Sequence, residues 1–283
     1  MNSYAYYNGV FGKKQDVFIP LSDRAIYFGD AVYDAAIGSY DRIMWEKEHI
    51  RRFLHNAKRI GIRHNFTEEQ LSSLLREVGV KSMLESYFIY FQMSRSAPDR
   101  IHSSLRTEAS LLITVDPIKI EPQAKPLDMI TVRDTRYDLC DIKSVNLLPA
   151  VIASTRAEKA GADEAIFVKG KYVTECAKSN IAIIKEGRII THPTNSRILP
   201  GIARAHLLVS CEMLNIPYTE RPFTVNEMLS ADEILVTSTT KLTRTVRTIN
   251  GLSVGGKSKF LAEKLCKKMF NQYKILCLGK EIT

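Results

Sequence analysis

The sequence predicts an α+β protein of two α/β domains. Its 283 residues suffice for one large or two medium domains. Strand-like and helix-like segments alternate along the chain. Residues 117–126 contain three prolines in ten positions, and proline opposes regular structure. We therefore predict a smaller N-terminal domain over 1–117, a linker over 118–126 and a larger C-terminal domain over 127–283.

Two hairpins, two helices and two further strands are predicted in the N-terminal domain. Asn8-Gly9 supplies the positive φ angles of a two-residue turn, and apolar spacing ending at Gly61 predicts a helix. Thr67 and Gln70 resemble a capping box at the start of a second helix. The predicted ranges are 4–7 paired with 10–11, 32–40 paired with 43–45, helices 46–60 and 67–84, and strands 87–93 and 110–115.

The C-terminal domain is predicted to contain short strands joined by tight turns, with three helices around them. Lys169-Gly170 and Glu186-Gly187 are turn sequences, and Pro200-Gly201 precedes an apolar helical segment. The predicted ranges are strand 129–133 and helices 147–160, 202–214 and 259–273.

Composition excludes several classes of function. Hydrophobic residues make up 45% and charged residues 25% of the chain, which is ordinary for a globular protein. The formal charge is +9, but Lys and Arg are interspersed with Glu and Asp, so we expect no nucleic-acid partner. No signal-peptide layout and no membrane-spanning apolar run is present, so we expect no membrane association and a cytoplasmic protein. The five cysteines lack metal-ligand spacing, and no metal is expected.

One nucleotide-binding motif is present in sequence but out of context. Residues 251–258 satisfy the pattern G-x-x-x-x-G-K-[ST]. A phosphate-binding loop follows a buried apolar strand, whereas residues 245–250 alternate polar and apolar side chains and end in an Asn-Gly turn. A P-loop-like nucleotide-binding module is therefore retained only as a distant alternative.

Two segments supply the groups that pyridoxal 5'-phosphate chemistry requires. Lys143 lies between β-branched residues and precedes an apolar run, which suits an amine that forms a Schiff base. Glu175 is a carboxylate able to pair with the pyridine nitrogen, and Ser179 and Asn180 follow it as anion-binding groups. The helix that begins after Gly201 offers free N–H groups to a phosphate. Arg52 and the hydroxyl groups of residues 238–240 are further phosphate candidates.

The chain resembles the class IV aminotransferases, and most closely the D-amino acid aminotransferases. The resemblance covers nearly the whole chain and rests on several motifs in the same order. It implies fold type IV, in which the larger C-terminal domain is a pseudo-barrel with flanking helices. The motifs are residues 23–33, 48–52, 140–148, 174–180, 199–204 and 236–240.

The resemblance also implies the roles of individual residues. Lys143 is expected to be catalytic and to carry the cofactor as a Schiff base, and Glu175 is expected to pair with the ring nitrogen. Tyr33, which is expected beside Lys143, and Thr240 are expected to contact the substrate. The remaining residues expected to bind the cofactor or its phosphate are Arg52, Ser179, Asn180, Ile202, Ala203, Ser238 and Thr239.

Substrate choice is assigned by the resemblance to Arg100 and His102. In an extended segment the two side chains point the same way and form a two-donor trap for a carboxylate. In D-amino acid aminotransferases the matching pair reaches the neighbouring subunit's site. A homodimer is therefore implied. The implied amino donors are D-alanine, D-glutamate and related D-amino acids, and the implied acceptors are 2-oxo acids. The products would serve as peptidoglycan precursors. The same-fold alternatives are a branched-chain L-amino acid transaminase, an (R)-amine transaminase and an aminodeoxychorismate lyase.

Three positions depart from the family pattern. Cys176 and Lys178 stand where Gly, Ser or Thr is usual, and Ala203 replaces a hydroxyl residue. We expect these changes to affect cofactor affinity more than the type of reaction.

Overall fold

The computed structural model describes residues 3–96, 100–103, 108–121 and 125–280. The chain forms two compact units. The first consists of Met1–Ile120, Ile142–Asn146 and Tyr273–Thr283, and the second of Glu121–Asp141 and Leu147–Gln272. These units differ from the predicted domains in two segments, because 142–146 and 273–283 belong to the first unit. The segment 142–146 joins it through backbone bonds to the strand that begins at Ala31.

The first unit contains a six-stranded antiparallel sheet within the described residues, in the order β2-β1-β6-β5-β3-β4. Its strands are β1 (Tyr4–Tyr7), β2 (Val10–Lys13), β3 (Ala31–Ser39), β4 (Arg42–Ile43), β5 (Tyr87–Arg95) and β6 (Ala109–Pro117). Its helices are α1 (Arg24–Phe28), α2 (Glu46–Arg59) and α3 (Glu68–Lys81), and Lys14–Asp16 forms a short 3-10 helix.

The core of this unit lies between the sheet and the apolar faces of α2 and α3. The predicted helical periodicity is confirmed, since the buried residues recur at helical spacing. The predicted capping box is also present, because the Thr67 hydroxyl accepts from the Gln70 amide and the Gln70 side chain accepts from the Thr67 amide. The core residues from these helices are Ile50, Phe53, Ala57, Leu71, Leu75 and Val78.

The second hairpin is shorter than predicted. Strand β4 ends at Ile43, and Trp45 has a φ of 51° and precedes the first residue of α2. The left-handed conformation of Trp45 is incompatible with an extended strand, and aromatic content alone did not indicate it.

The second unit contains a ten-stranded mixed sheet within the described residues. The strand order is β12-β11-β10-β14-β15-β7-β8-β9-β13, with β16 paired to β15. The strands are β7 (Leu127–Arg133), β8 (Glu164–Lys169), β9 (Tyr172–Cys176), β10 (Asn180–Lys185), β11 (Arg188–Thr191), β12 (Tyr218–Glu220), β13 (Phe223–Thr224), β14 (Glu233–Ser238), β15 (Leu242–Ile249) and β16 (Leu252–Ser253). The helices are α4 (Leu148–Lys159), α5 (Ile202–Met213), α6 (Val225–Leu229) and α7 (Lys259–Leu276), and the last four residues of α7 belong to the first unit.

The tight turns of this unit lie where the sequence predicts them. Gly170 and Gly187 have φ angles of 63° and 71° and connect β8 to β9 and β10 to β11. The α+β class is confirmed by these two sheets and their helices.

The nucleotide-binding motif at 251–258 does not form a phosphate loop. Asn250-Gly251 is the hairpin turn between β15 and β16. The Gly256 amide donates to the buried Glu233 carboxylate at 2.8 Å. The Gly256 amide thus binds a carboxylate of the protein, whereas the backbone amides of a phosphate loop bind a phosphate.

Candidate active site

Lys143 belongs to the first unit and lies beside strand β3. The Tyr33 amide donates to the Lys143 carbonyl at 2.8 Å, and the Val145 amide donates to the Ala31 carbonyl at 3.2 Å. The Lys143 Nζ lies 4.3 Å from the centroid of the Tyr33 ring. Tyr33 is in turn stacked on Tyr90 at 5.2 Å. The structure therefore brings Tyr33 and Lys143 together, and Tyr90 packs against the Tyr33 ring.

The apolar run after Lys143 enters a core only at Ala150, which is 9% exposed and packs in the cluster between α4 and β8. Leu147 is 41% and Leu148 is 69% exposed. Only every third or fourth residue of α4 is buried, through Ala150, Ala153 and Ala157. Lys143 itself is partly buried. Its Nζ lies over the aromatic ring of Tyr33.

Arg52 is fixed by a buried carboxylate on the neighbouring strand. Its Nε and Nη2 atoms donate to the two Asp34 oxygens at 2.8 Å each. His49, one helical turn before Arg52, lies with its Nδ1 at 2.8 Å from Asp34 Oδ1. Burial would raise the pKa of Asp34, but Arg52 and His49 outweigh it and hold that pKa well below its usual range. Asp34 is therefore an anion that orients two cationic or polar side chains.

His49 presents one nitrogen that has no hydrogen-bond partner among the described residues. The side chain is 1% exposed, and its Nε2 is the unpartnered atom. Burial lowers the pKa of His49, and Asp34 only partly opposes this. A neutral ring with Nδ1 donating to Asp34 leaves Nε2 as an acceptor. Lys143 is among the charges that act on this ring.

Arg100 and His102 lie on the surface of the first unit and share one aromatic support. The Arg100 guanidinium carbon is 5.3 Å from the Phe28 ring centroid, and the His102 ring is 5.0 Å from it. Arg24 donates to the His102 carbonyl at 2.8 Å and to the Ile101 carbonyl. Helix α1 therefore holds this segment, and both predicted side chains are exposed.

Glu175 is the centre of a buried polar cluster in the second unit. The residue is 5% exposed. The Asn180 amide group donates to its Oε2 at 2.9 Å, the Leu199 backbone amide donates at 3.1 Å, and Arg136 donates to its Oε1. Three donors from separate segments fix this carboxylate in one orientation.

Arg136 and Asp134 were not identified from the sequence. Arg136 donates to both Asp134 oxygens at 3.0 and 2.8 Å, and its guanidinium carbon lies 4.3 Å from the Phe167 ring centroid. Burial lowers the pKa of Arg136, but Asp134 and Glu175 outweigh it and raise that pKa above its usual range. The only sequence signal is an acidic residue two positions before an arginine, which is too common to predict a site.

The other predicted cofactor-binding residues of the second unit gather at one end of its sheet. Strands β10 and β14 pair with Asn180 opposite Thr237, and β14 and β15 pair with Ser238 opposite Leu242. The turns 177–179 and 239–241 consequently lie side by side. Helix α5 begins at the same end, because Asn180 also donates to the Leu199 carbonyl at 2.9 Å. Thr240 is exposed there, and Thr239 is partly buried.

Gly201 is required by the approach of α5 to Asn180. A Cβ atom at this position would lie 1.9 Å from Asn180 Oδ1. Gly201 caps the helix without a side-chain hydrogen bond, so the first amides of α5, on Ile202 and Ala203, face an end that no capping side chain fills. The helix N-terminus is an anion site in chemical character.

The side chain of Ser179 is committed within the protein. Its hydroxyl donates to Glu164 Oε2 at 2.9 Å and accepts from Lys241 Nζ at 3.3 Å. Lys241 also donates to Glu164 Oε2 at 2.7 Å. Neither Glu164 nor Lys241 was identified from the sequence.

The donors and acceptors described above suit a phosphorylated pyridine. Amides at the start of α5 with the hydroxyl groups of Ser238 and Thr239 match a phosphate. Glu175 is a fixed carboxylate for a protonated ring nitrogen, and Lys143 is an amine for an aldehyde.

Two further observations bear on partners. Across the described residues, no group of three or more His, Cys, Asp or Glu side chains has the arrangement of a metal site. No helix within the described parts of the chain has the length and apolar character needed to cross a membrane.

The sequence is similar to a large aminotransferase family. The family model described as amino-transferase class IV matches residues 31–249. A D-alanine aminotransferase of Staphylococcus epidermidis is 37% identical over 254 residues, covering 88% of this chain and 90% of that protein. A D-alanine aminotransferase of Staphylococcus haemolyticus is 34% identical over 273 residues, covering 95% of this chain and 96% of that protein.

The fold is similar to that of a solved aminotransferase. The branched-chain aminotransferase of Thermoproteus uzoniensis, crystallised with norvaline, superposes with a TM-score of 0.87 over 96% of this chain and 97% of that one. At 21% sequence identity, this similarity concerns the architecture alone.

Proposed function

Since the chain belongs to the class IV amino-transferase family, as its motifs predict, we propose that it is a pyridoxal phosphate transaminase of D-amino acids. Its donors are D-alanine and D-glutamate, and its acceptors are pyruvate and 2-oxoglutarate. The observation that carries the proposal is the buried Glu175 carboxylate with its three donors. The relatives named D-alanine aminotransferase support the choice of substrate.

Lys143 provides the amine that holds the cofactor and then moves a proton. Pyridoxal phosphate, when bound, supplies an electron sink for the negative charge that develops at the substrate Cα. The Lys143 Nζ, once released by the incoming substrate amine, removes the proton from that Cα. The Tyr33 ring, 4.3 Å from Nζ, limits the directions in which the amine can turn. Orientation of the base is a large part of such catalysis.

Glu175 keeps the pyridine nitrogen protonated. Arg136, Asn180 and the Leu199 amide hold this carboxylate in one orientation, in which it can accept a hydrogen bond from a protonated ring nitrogen. Asn180 then acts on the cofactor through Glu175, because its amide group is already bonded to that carboxylate.

The phosphate is assigned to backbone amides, to hydroxyl groups and to one arginine. Ile202 and Ala203 contribute backbone N–H groups, and Ser238 and Thr239 contribute hydroxyl groups. Arg52 contributes a positively charged guanidinium group, and Asp34 fixes the orientation of that group.

Arg100 and His102 are assigned to the substrate carboxylate of a neighbouring subunit, with Tyr33 and Thr240 as further contacts. Both side chains are exposed on the first unit and stand on the same Phe28 ring. Large apolar side chains are also exposed in the segment just before helix α1, with Phe18 at 81% and Leu21 at 79%. Exposed apolar side chains of this size favour a protein interface, and a homodimer supplies one. We place the enzyme in the cytoplasm, where D-amino acids serve peptidoglycan synthesis.

Single-turnover spectroscopy tests the reaction and its stereochemistry. The purified enzyme is expected to absorb in the visible range and to lose that band with D-alanine much faster than with L-leucine. Lys143→Ala is the control. Neither D-alanine nor L-leucine is expected to bleach its visible band at a rate comparable to that of the wild type with D-alanine. A protein that stays colourless in added pyridoxal phosphate would refute the cofactor, whereas bleaching by L-leucine alone would favour the branched-chain alternative.

Subunit mixing tests the placement of Arg100. Arg100→Ala and Lys143→Ala are each expected to be nearly inactive with D-alanine. In a mixed dimer, one site combines an intact Lys143 with the partner's intact arginine. Random exchange between equal amounts of the two variants is therefore expected to restore about a quarter of the wild-type activity. If Arg100 served its own subunit, mixing would restore nothing.

A further inference from the structure

A buried ion pair connects three segments at the end of the second unit's sheet. Glu164, the first residue of β8, has a fully buried side chain, and the Lys241 side chain is 18% exposed. Their Nζ and Oε2 atoms are 2.7 Å apart. Ser179 joins the same oxygen at 2.9 Å, and the Lys178 amide donates to Glu164 Oε1 at 2.6 Å. Both carboxylate oxygens are therefore satisfied by two turns that lie far from Glu164 in sequence.

The two connected turns carry the groups assigned to the phosphate. Lys241 closes the 239–241 turn, since its backbone amide also donates to the Ser238 hydroxyl at 3.1 Å. Ser179 closes the 177–179 turn, where its carbonyl accepts from the Cys176 amide at 2.8 Å. The ion pair thus holds one turn against the other through a shared carboxylate.

The energetics favour a role in positioning. A buried ion pair gains little over an apolar contact, because removing two charges from water offsets their attraction. Breaking one side of such a pair is costly, since the remaining charge has no partner. A device of this kind contributes mainly by excluding other arrangements of the segments it joins. Neighbouring Cys176 adds no charge, because burial and then Glu164 raise the pKa of its thiol well above the usual value.

We propose that Glu164 and Lys241 are positioning residues for the cofactor phosphate. They hold the turns 177–179 and 239–241 in the spacing at which Ser238, Thr239 and the start of α5 meet one phosphate group. Ser179 acts within this device, since its hydroxyl serves Glu164. This inference rests on the proposed cofactor, and it assigns to Lys241 a role that its sequence position does not reveal.

The alternative role for Lys241 is direct attraction of the phosphate by its charge. The two roles predict opposite effects for Glu164→Gln. If the charge of Lys241 attracts phosphate, removing its carboxylate partner strengthens phosphate binding. If the pair sets the spacing of the turns, the same substitution weakens binding.

Equilibrium titration of the apoenzyme with pyridoxal 5'-phosphate and with pyridoxal tests the proposal. Binding is followed by the visible absorption of the protein-bound ligand, together with thermal unfolding of each ligand-free protein. Lys241→Met and Glu164→Gln are each expected to weaken binding of the phosphorylated ligand about tenfold, which corresponds to about 1.4 kcal/mol. Binding of pyridoxal is expected to change less than twofold. The double variant Glu164→Gln/Lys241→Met is expected to recover part of the loss, because neither charge remains unpaired.

Lys169→Met is the matched control, since Lys169 pairs with Asp138 at 2.7 Å on the surface of the same unit. It is expected to bind both ligands as the wild type does. Wild-type affinity for pyridoxal phosphate in both single variants would overturn the inference, and so would tighter binding by Glu164→Gln. An equal loss for both ligands with a lowered melting temperature would also overturn it, as that pattern reports general destabilisation. A wild-type protein that binds neither ligand would instead refute the proposed function.

Discussion

Two buried carboxylates, one in each unit, each accept hydrogen bonds from an arginine but serve opposite purposes. Asp34 in the first unit is fully buried and orients Arg52 and His49 around it. Glu175 in the second unit is itself oriented, by Arg136 and two further donors. In the proposed function, the group that contacts the cofactor is the arginine of the first cluster and the carboxylate of the second.

In each cluster, one group is presented to the ligand and the other supports it. An arginine bonded through Nε and Nη2 to a fixed carboxylate has a fixed direction, and a carboxylate that accepts several bonds has a fixed charge. Removing the supporting member should therefore reduce stability, whereas removing the presented member should reduce activity.

Asp34→Asn is expected to have the largest effect on stability. It leaves the partly buried Arg52 and the buried His49 without their anion, and breaking such a pair costs about 3–5 kcal/mol. The measurement is urea-induced unfolding at neutral pH. Retention of wild-type stability would show that Arg52 does not depend on Asp34.

The same substitution is expected to change the acid sensitivity of the protein. Arg52 and His49 hold the pKa of Asp34 below its unfolded value despite burial. The stability gained from ionised Asp34 is therefore complete above about pH 4 and is lost as pH falls toward the lower folded pKa. Asp34→Asn removes this dependence, so the stability of the two proteins should converge as the solution is acidified below about pH 4.

Glu175→Gln is expected to lower the single-turnover rate roughly 10²–10³-fold, or about 3–4 kcal/mol of the barrier. The amide cannot hold a proton on the ring nitrogen, while Asn180 and Leu199 can still bond to its oxygen. Stopped-flow absorption with D-alanine measures the rate. Glu212→Gln, which alters a surface carboxylate bonded to Tyr218, should react normally. A Glu175→Gln enzyme with an unchanged rate would contradict the role assigned to this carboxylate.

The two clusters also differ in how far the sequence could predict them. The family and its fold type were predicted correctly from motifs that are local in sequence, and both are confirmed by the family model and the solved relative. Arg136 and Glu175 are 39 positions apart, and Glu164 and Lys241 are 77 apart. Such pairs form only when strands have found their register, and no local pattern distinguishes Lys241 among 40 basic residues.

The start of helix α3 was predicted correctly, because period and capping agree there. The helix was predicted over 67–84 and spans Glu68–Lys81 with its capping box as expected, so its end was placed three residues too late. Three short features were not predicted, because each has too few residues to show a period. They are helices α1 and α6 and the placement of 142–146 in the first unit.

Gly201→Ala is expected to lower stability and cofactor affinity moderately by disturbing the Glu175 cluster. The φ of Gly201 is −68°, so the backbone accepts alanine, but the new Cβ would clash with Asn180 Oδ1. Displacing Asn180 removes one donor from Glu175, and such overpacking costs about 1–3 kcal/mol. Calorimetry and cofactor titration measure the loss. Gly161→Ala, which has open space but a φ of 69°, should lose stability without losing cofactor affinity.

Asp116→Asn is expected to have the smallest effect, although it is the same chemical change as Asp34→Asn in the same unit. Asp116 bonds Lys14 at 2.8 Å, but its side chain is 33% exposed and that of Lys14 is 48% exposed. Water already solvates both charges, so the loss should be about 0–1 kcal/mol and should disappear in about 1 M salt. Urea unfolding of both variants at low and high salt gives the comparison directly. An equal loss for Asp116→Asn and Asp34→Asn would mean that burial does not govern the value of these ion pairs, and the distinction between the two carboxylate clusters and the surface would fail.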